Sequence, residues 1–448
     1  MQFVPGAPRI HVEADYHLRN DGNQPLEALE VRLPGRLAFR VENSEASWDG
    51  SALSSQASSA NPRDTLFPLP GRWKTSERHT LRLSADFVPS DPGDSHFSFT
   101  GDAFFLPSEG WAPDLLPARG FIASGGVPPK RWLLSVRVPQ DFLVHTSGRA
   151  VKSLRSGGEV MVQATQTPLD QYPFVIAGRY RESQLDAGQQ KVVVWSRASF
   201  APAGLRDSAA AVSRIVQAYD QAFGNRSKVA APLWVVQCPI VPGCFTTEHS
   251  AYAEFLGAEP DAVSSELASA DTLMMDFSGA PSNLAGAAPA LAASWLGYGQ
   301  NPGFYDQQPP LSAFPAFASS LGREAVLGSA VRVESIRRAL RVIPRPLAKR
   351  VPEDPKVIRA KSFLFFYALQ DRYGLEVFHR AVNHMLSARR GGGFDLADLI
   401  AAFEEETHEN VAEFVRVWMK RPGVPDDFRA RYEGTASALA GNSKENTP

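Results

Sequence analysis

The chain has 448 residues, 44% hydrophobic and 21% charged, with 46 Lys and Arg against 48 Asp and Glu. The length exceeds what one hydrophobic core usually serves and implies two or three domains, and the composition is that of a soluble globular protein. Balanced charge argues against a nucleic-acid partner, and no apolar run reaches the roughly 18 to 20 residues that span a bilayer.

The opening MQFVPGAPRIHVEADYHL lacks a basic region followed by an apolar one. The expectation is a chain not inserted in a membrane, cytoplasmic by default, with export of a processed form left open. Residues 9 to 195 read as all-β. Ile10, Val12, Ala14, Tyr16 and Leu18 alternate strictly with polar neighbours, as do Leu81, Leu83, Ala85 and Phe87, which is the period of a half-buried strand. Further strands are predicted at 132–138, 159–164, 174–180 and 191–196. Asn20-Asp21-Gly22 and Ser156-Gly157-Gly158 have the composition of hairpin connections.

From Ser208 the period becomes helical, with Val212, Ile215, Val216, Tyr219 and Phe223 on one face and Asp207 or Ser208 as N-cap. A strand follows at 233–238, then a loop and an edge strand over 243–256. Cys238 and Cys244 are the chain's two cysteines. The Pro- and Gly-containing turn between them fits either a disulfide or two half-buried thiols. A zinc site would need a second pair of ligands there.

Later in the chain, Asp354-Pro355 predicts an N-cap with Pro in the first turn and a helix over 357–373 that stops at Gly374. Helices over 376–388, 396–405 (capped by Asp395) and 410–419 follow. Residues 433–448 are small and polar and read as disordered. Arg337, Arg338, Arg341, Arg345, Lys349 and Arg350 read as a solvated face.

Three phrases occur in a telling order: Phe105-Leu-Pro-Ser-Glu-Gly-Trp-Ala-Pro113, Pro128-Pro-Lys-Arg-Trp132 leading into Val136–Pro139, and Tyr172-Pro-Phe-Val-Ile-Ala-Gly-Arg-Tyr180. Together they resemble landmarks of the saddle-shaped β-domain of the aminopeptidase N-like zinc metallopeptidases, the gluzincins. The resemblance runs from about residue 9 to about residue 430. It implies an α+β multidomain fold without the C-terminal helical array of many relatives: a β-saddle over 1–195, a thermolysin-like β lobe with the active-site helices over 196–325, and a helical lobe over 326–432.

In that family the active-site helix carries a pattern close to H-E-x-x-H-Q-W-[WF]-G, followed by W-x-[NS]-E-G-[FL]-A. Two imidazoles at i and i+4 share a helix face, because four residues advance the helix by about 400°. A carboxylate from the next helix completes the metal site, and the Glu beside the first His activates the bound water. The matching text is Pro289-Ala-Leu-Ala-Ala293-Ser-Trp295-Leu-Gly297 and Ser312-Ala-Phe-Pro315-Ala-Phe317-Ala318. The resemblance places the two His positions on Pro289 and Ala293, the base on Ala290 and the third ligand on Pro315. The family's Y-x-K-G phrase matches Arg359-Ala-Lys361-Ser362, which puts Arg359 where the transition-state tyrosine would stand. None of these residues binds zinc, so the expectation is a degenerate motif and no cofactor. No two of the nine histidines stand at i and i+3 or i and i+4; His379 and His384, at i and i+5, lie about 140° apart on a helix.

Relatives hold the substrate's amino end with a Glu in a G-[AG]-M-E-N or G-G-M-E-Y strand. Phe245-Thr-Thr-Glu248-His249-Ser-Ala-Tyr252 occupies a compatible place, so Glu248, His249 and Tyr252 are the candidate peptide-binding residues, with strand addition as the mode. The plainer reading is a solvated acid on an edge strand. Asp276 with Glu248 as a carboxylate pair has no support beyond residue type. Trp295, Phe304, Phe314 and Phe317 read as core packing between the two active-site helices. No G-x-S-x-G, Walker or dinucleotide motif occurs.

The expected function is that of a pseudopeptidase binding a peptide or protein partner. The alternatives are a divergent zinc metallo-aminopeptidase with ligands regrouped from distant segments, for instance His249 with His379 or His384, and a purely structural subunit.

Overall fold

The computed structural model describes residues 1–4, 9–32, 39–58, 64–89, 98–107, 111–116, 131–166, 173–187, 190–198, 202–224, 232–239, 255, 265–269, 271–277, 285–296, 309–345, 354–388 and 394–433. The chain divides into two compact units: Met1–Arg181 with Ser196–Ser199 and Gln237–Phe245, and Glu182–Trp195 with Phe200–Val236 and Thr246–Pro448.

In the first unit the two alternating stretches are the strands Arg9–Arg19 and Arg78–Pro89. They pair antiparallel, with Ile10 opposite Phe87 and Val12 opposite Ala85. Side chains alternate across a pleated strand, so this register stacks the four residues in one buried layer with Phe104, Val136 and Val175. The pair sits within an eight-stranded sheet of order Arg149–Ser156, Glu159–Thr165, Leu133–Pro139, Gln2–Val4, Arg9–Arg19, Arg78–Pro89, Phe39–Trp48, Ser51–Ala52. Two four-stranded sheets complete the unit; in one of them Leu29, Val31, Phe67 and Trp73 pack with Trp48, Leu81 and Leu83.

The two predicted turns differ in outcome. Ser156-Gly157-Gly158 closes a hairpin between Arg149–Ser156 and Glu159–Thr165, and Gly157 (φ +61°) and Gly158 (φ +83°) are both left-handed, as a type I′ turn requires. Asn20-Asp21-Gly22 closes no hairpin. The strand before it pairs with Gln2–Val4 and Arg78–Pro89, whereas the next strand, Leu26–Arg32, pairs with Thr65–Trp73 in a different sheet. Asn20 instead pins the crossing: its Nδ2 donates to the carbonyls of Gln24 and Trp73, and its Oδ1 accepts from the Gly22 amide at 2.9 Å.

In the second unit the strands Gln190–Arg197 and Leu233–Gln237 run parallel, which demands a crossover. Helix α1 (Pro202–Phe223) supplies it. It begins at Pro202, ahead of the expected cap at Asp207 or Ser208. Proline is suited to the first helical position, and the opening turn lacks the apolar stripe that marks the rest. Eight further helices are described: α2 (Ala287–Leu296), α3 (Phe314–Leu327), α4 (Ser329–Val342), α5 (Pro355–Tyr373), α6 (Leu375–Ala388), α7 (Leu396–Thr407), α8 (Val411–Lys420) and α9 (Asp426–Glu433).

The caps predicted at Asp354 and Asp395 are present, and Asn410, read as the first residue of its helix, is a cap as well. Asp354 accepts from the Lys356 amide at 2.8 Å, Asp395 and Asp398 cap each other's backbone, and Asn410 accepts from the Glu413 amide at 2.9 Å. The helices pack around Phe314, Phe317, Phe363, Phe366, Tyr367 and Phe378, all sealed from solvent. Cys238 is buried and disulfide-bonded, which selects the bridge over the free thiols; Cys244 is the chain's other cysteine. A β-rich N-terminal region is thus followed by a helical C-terminal region. The edge strand expected after Gly243 and the tail beyond Glu433 lie outside the described residues.

Candidate functional site

Helix α2 packs on α3, and both pack on α1. Ala287, Ala288, Leu291, Ala292 and Leu296 fix α2 in the core. Tyr219 of α1 donates its hydroxyl to the Ala288 carbonyl at 2.8 Å, and the Trp295 ring stands edge-on to Tyr219 at 5.6 Å. Phe314 and Phe317 are core residues as expected, the first tilted against Phe366 of α5 and the second stacked on it; Phe304 lies outside the described residues.

The candidate positions fall on or beside the other faces of these helices. Pro289 is exposed, and Ala290, Ala293, Pro315 and Arg359 are half-buried. Pro289 is the third residue of α2 and Pro315 the second of α3. The first four amides of a helix have no intrahelical acceptor, so neither proline forfeits a bond. On α5, Arg359 falls on the same side as Phe363 and Phe366, following helical spacing. Phe363 lies 5.8 Å from the Phe255 ring. The Arg359 Nε is shut from solvent with no hydrogen-bond partner.

Zinc requires N, O or S donors in a tetrahedral set. The side chains of Pro289, Ala290, Ala293 and Pro315 have none, and Arg359 is a cation, so the residues at these positions do not fit the metal. Among the described residues no group of three or more His, Cys, Asp and Glu is placed to hold a metal ion. His379 and His384 both lie on α6. Burial lowers the pKa of His379, and His384 faces Glu405 at 3.4 Å. Glu248, His249 and Tyr252 lie outside the described residues; Asp276 is half-buried after the strand Thr272–Met275.

Of the arginine run, Arg341 and Arg345 are exposed, whereas Arg337 donates its Nε to the Tyr432 carbonyl at 2.8 Å and so ties α4 to α9. Sequence reasoning missed the buried polar groups of α3, Ser320 and Arg323, because helical spacing alone does not reveal which polar positions the other helices cover.

No protein-family model matches the chain, and no curated protein sequence does. Solved structures do. The M1 zinc metallopeptidase of Deinococcus radiodurans has 18% sequence identity and a TM-score of 0.50, covering 94% of this chain and 92% of its own. A point mutant of a two-domain M1 zinc metallopeptidase bound to L-tryptophan matches with the same identity, TM-score and coverage. At this identity the likeness is one of fold: the chain has the two-domain architecture of the M1, or aminopeptidase N-like, zinc metallopeptidases.

Proposed function

We propose that this chain is a catalytically inactive protein of the M1 metallopeptidase fold that binds a peptide or protein partner through the cleft at α2 and α3. The observation that carries the reading is the residue set: Pro289, Ala290, Ala293 and Pro315 offer neither a metal donor nor a proton acceptor, and Arg359 stands where the resemblance implies a tyrosine. Function is argued from the site and not from the fold. A fold neighbour holding L-tryptophan supports an amino-acid-sized ligand for this architecture, and Glu248 is the proposed anchor for an amino end.

Purified protein should contain no stoichiometric zinc and should show no chelator-sensitive hydrolysis of aminoacyl amides. One equivalent of zinc with chelator-sensitive turnover would overturn the reading. Glu248→Ala should weaken binding of an extended peptide about tenfold; unchanged binding would remove the cleft as the docking place.

A further inference from the structure

Two other buried cations among the described residues are satisfied. Lys361, 6% exposed, donates its Nζ to the Met419 and Arg421 carbonyls at 3.0 and 2.6 Å. Arg429, 8% exposed, donates to the Leu340 and Ile343 carbonyls and to Glu433 Oε1 at 2.8 Å. Arg323 of α3 is equally buried at 8% exposure, yet it makes no hydrogen bond or ion pair in the described residues. Its Nε is sealed and unpartnered, the one nitrogen of the guanidinium in that state.

The charged side chain whose field Arg323 feels is Arg338 of α4, itself held by Glu334 at 3.2 Å. The adjacent Glu324 lies about 100° further round α3, and the charge acting on it is Arg332. Burial and Arg338 both act against the charged form of Arg323, but a guanidinium does not give up its proton in a protein. A buried charge without a counter-charge is strongly unfavourable. The two terminal nitrogens are not sealed in this way, so the open end of the fork reaches solvent and can take an anion from outside the chain.

We infer that the hairpin of α3 and α4 is an oxyanion site, in which the fork of Arg323, with Arg338 beside it, takes a carboxylate or phosphate group. A planar guanidinium presents paired donors that match two oxygens of either group. The site is separate from the vestigial metal positions. Arg323 lies eight residues beyond Pro315 on α3, more than two turns along the axis.

Thermal unfolding of the full chain in a chloride buffer of fixed ionic strength, titrated with inorganic phosphate or with acetate, tests the inference. A saturable rise in Tm above the chloride control is expected for at least one anion, and the tighter of the two identifies the chemistry as phosphate or carboxylate. Arg323→Met should abolish the rise and, in the anion-free buffer, unfold no lower than the wild type, because it removes an uncompensated charge. Arg338→Gln should weaken the anion about tenfold. The inference fails if neither anion shifts the wild type, or if Arg323→Met keeps the same saturable response. Wild-type titration stands by itself should Arg323→Met not fold.

Discussion

Glu324 shows how burial at a single residue sets a pH response. It is half-buried on α3, and burial raises its carboxyl pKa above the ordinary 4.5, with Arg332 acting in the opposite direction. A group whose folded pKa lies above its unfolded value binds its proton more tightly in the native state. Its contribution is therefore fully present below the unfolded value and is lost as pH rises through the folded one. Glu324→Gln should thus raise stability at about pH 7 and change it little at about pH 4, where the native carboxyl is already protonated. Denaturant unfolding at the two pH values reads this directly, and an equal effect at both would show that Glu324 titrates as an exposed acid. The neighbouring Tyr367 hydroxyl, also buried, is satisfied by Ser320 at 2.5 Å, so Glu324 is the α3 group for which protonation decides the outcome.

At the scale of elements, Gly322 governs how closely three helices meet. A Cβ at this position would stand 2.5 Å from the Tyr219 hydroxyl and 2.8 Å from the Ala288 Cβ. Those same groups are joined by the hydrogen bond from Tyr219 to the Ala288 carbonyl. In an exposed helix Gly→Ala would gain about 1 kcal/mol; here Gly322→Ala should instead cost about 1–3 kcal/mol by overpacking, measured by denaturant unfolding. A gain would mean that α1 and α3 move apart freely. This contact was not legible in the sequence, because Gly322 carries no turn signal and its reason lies on two other helices. What was legible was local. The caps at Asp354 and Asp395 and the alternation of Arg9–Arg19 depend on neighbours within a few residues. Asn20-Asp21-Gly22 misled for the converse reason: turn chemistry says where a strand ends but not which strand receives it. The start of α1 at Pro202 was missed because its first turn lies outside the apolar stripe that reveals a helix.

For the whole molecule, the question is whether α2 and α3 hold positions 289, 293 and 315 close enough to share one ligand. Pro289, Ala293 and Pro315 were singled out by resemblance alone, and the structure adds how their helices are held. Helix α2 is held by Ala287, Ala288, Leu291, Ala292 and Leu296, all sealed in the core, and both prolines sit in first turns where no amide is missed. If the positions still converge, restoring donors should restore binding. The variant combining Pro289→His, Ala293→His and Pro315→Glu places two imidazoles four residues apart on α2 and a carboxylate on the helix packed against it. It should bind one equivalent of zinc and gain about 2.7 kcal/mol when free zinc stands at about a hundred times its Kd, read as a zinc-dependent rise in Tm absent from the wild type. Hydrolysis is not expected of this variant, since Ala290 and Arg359 remain and neither supplies a base. A folded variant that takes no zinc would show that the three positions do not converge, and would remove the metal-site reading of α2 and α3.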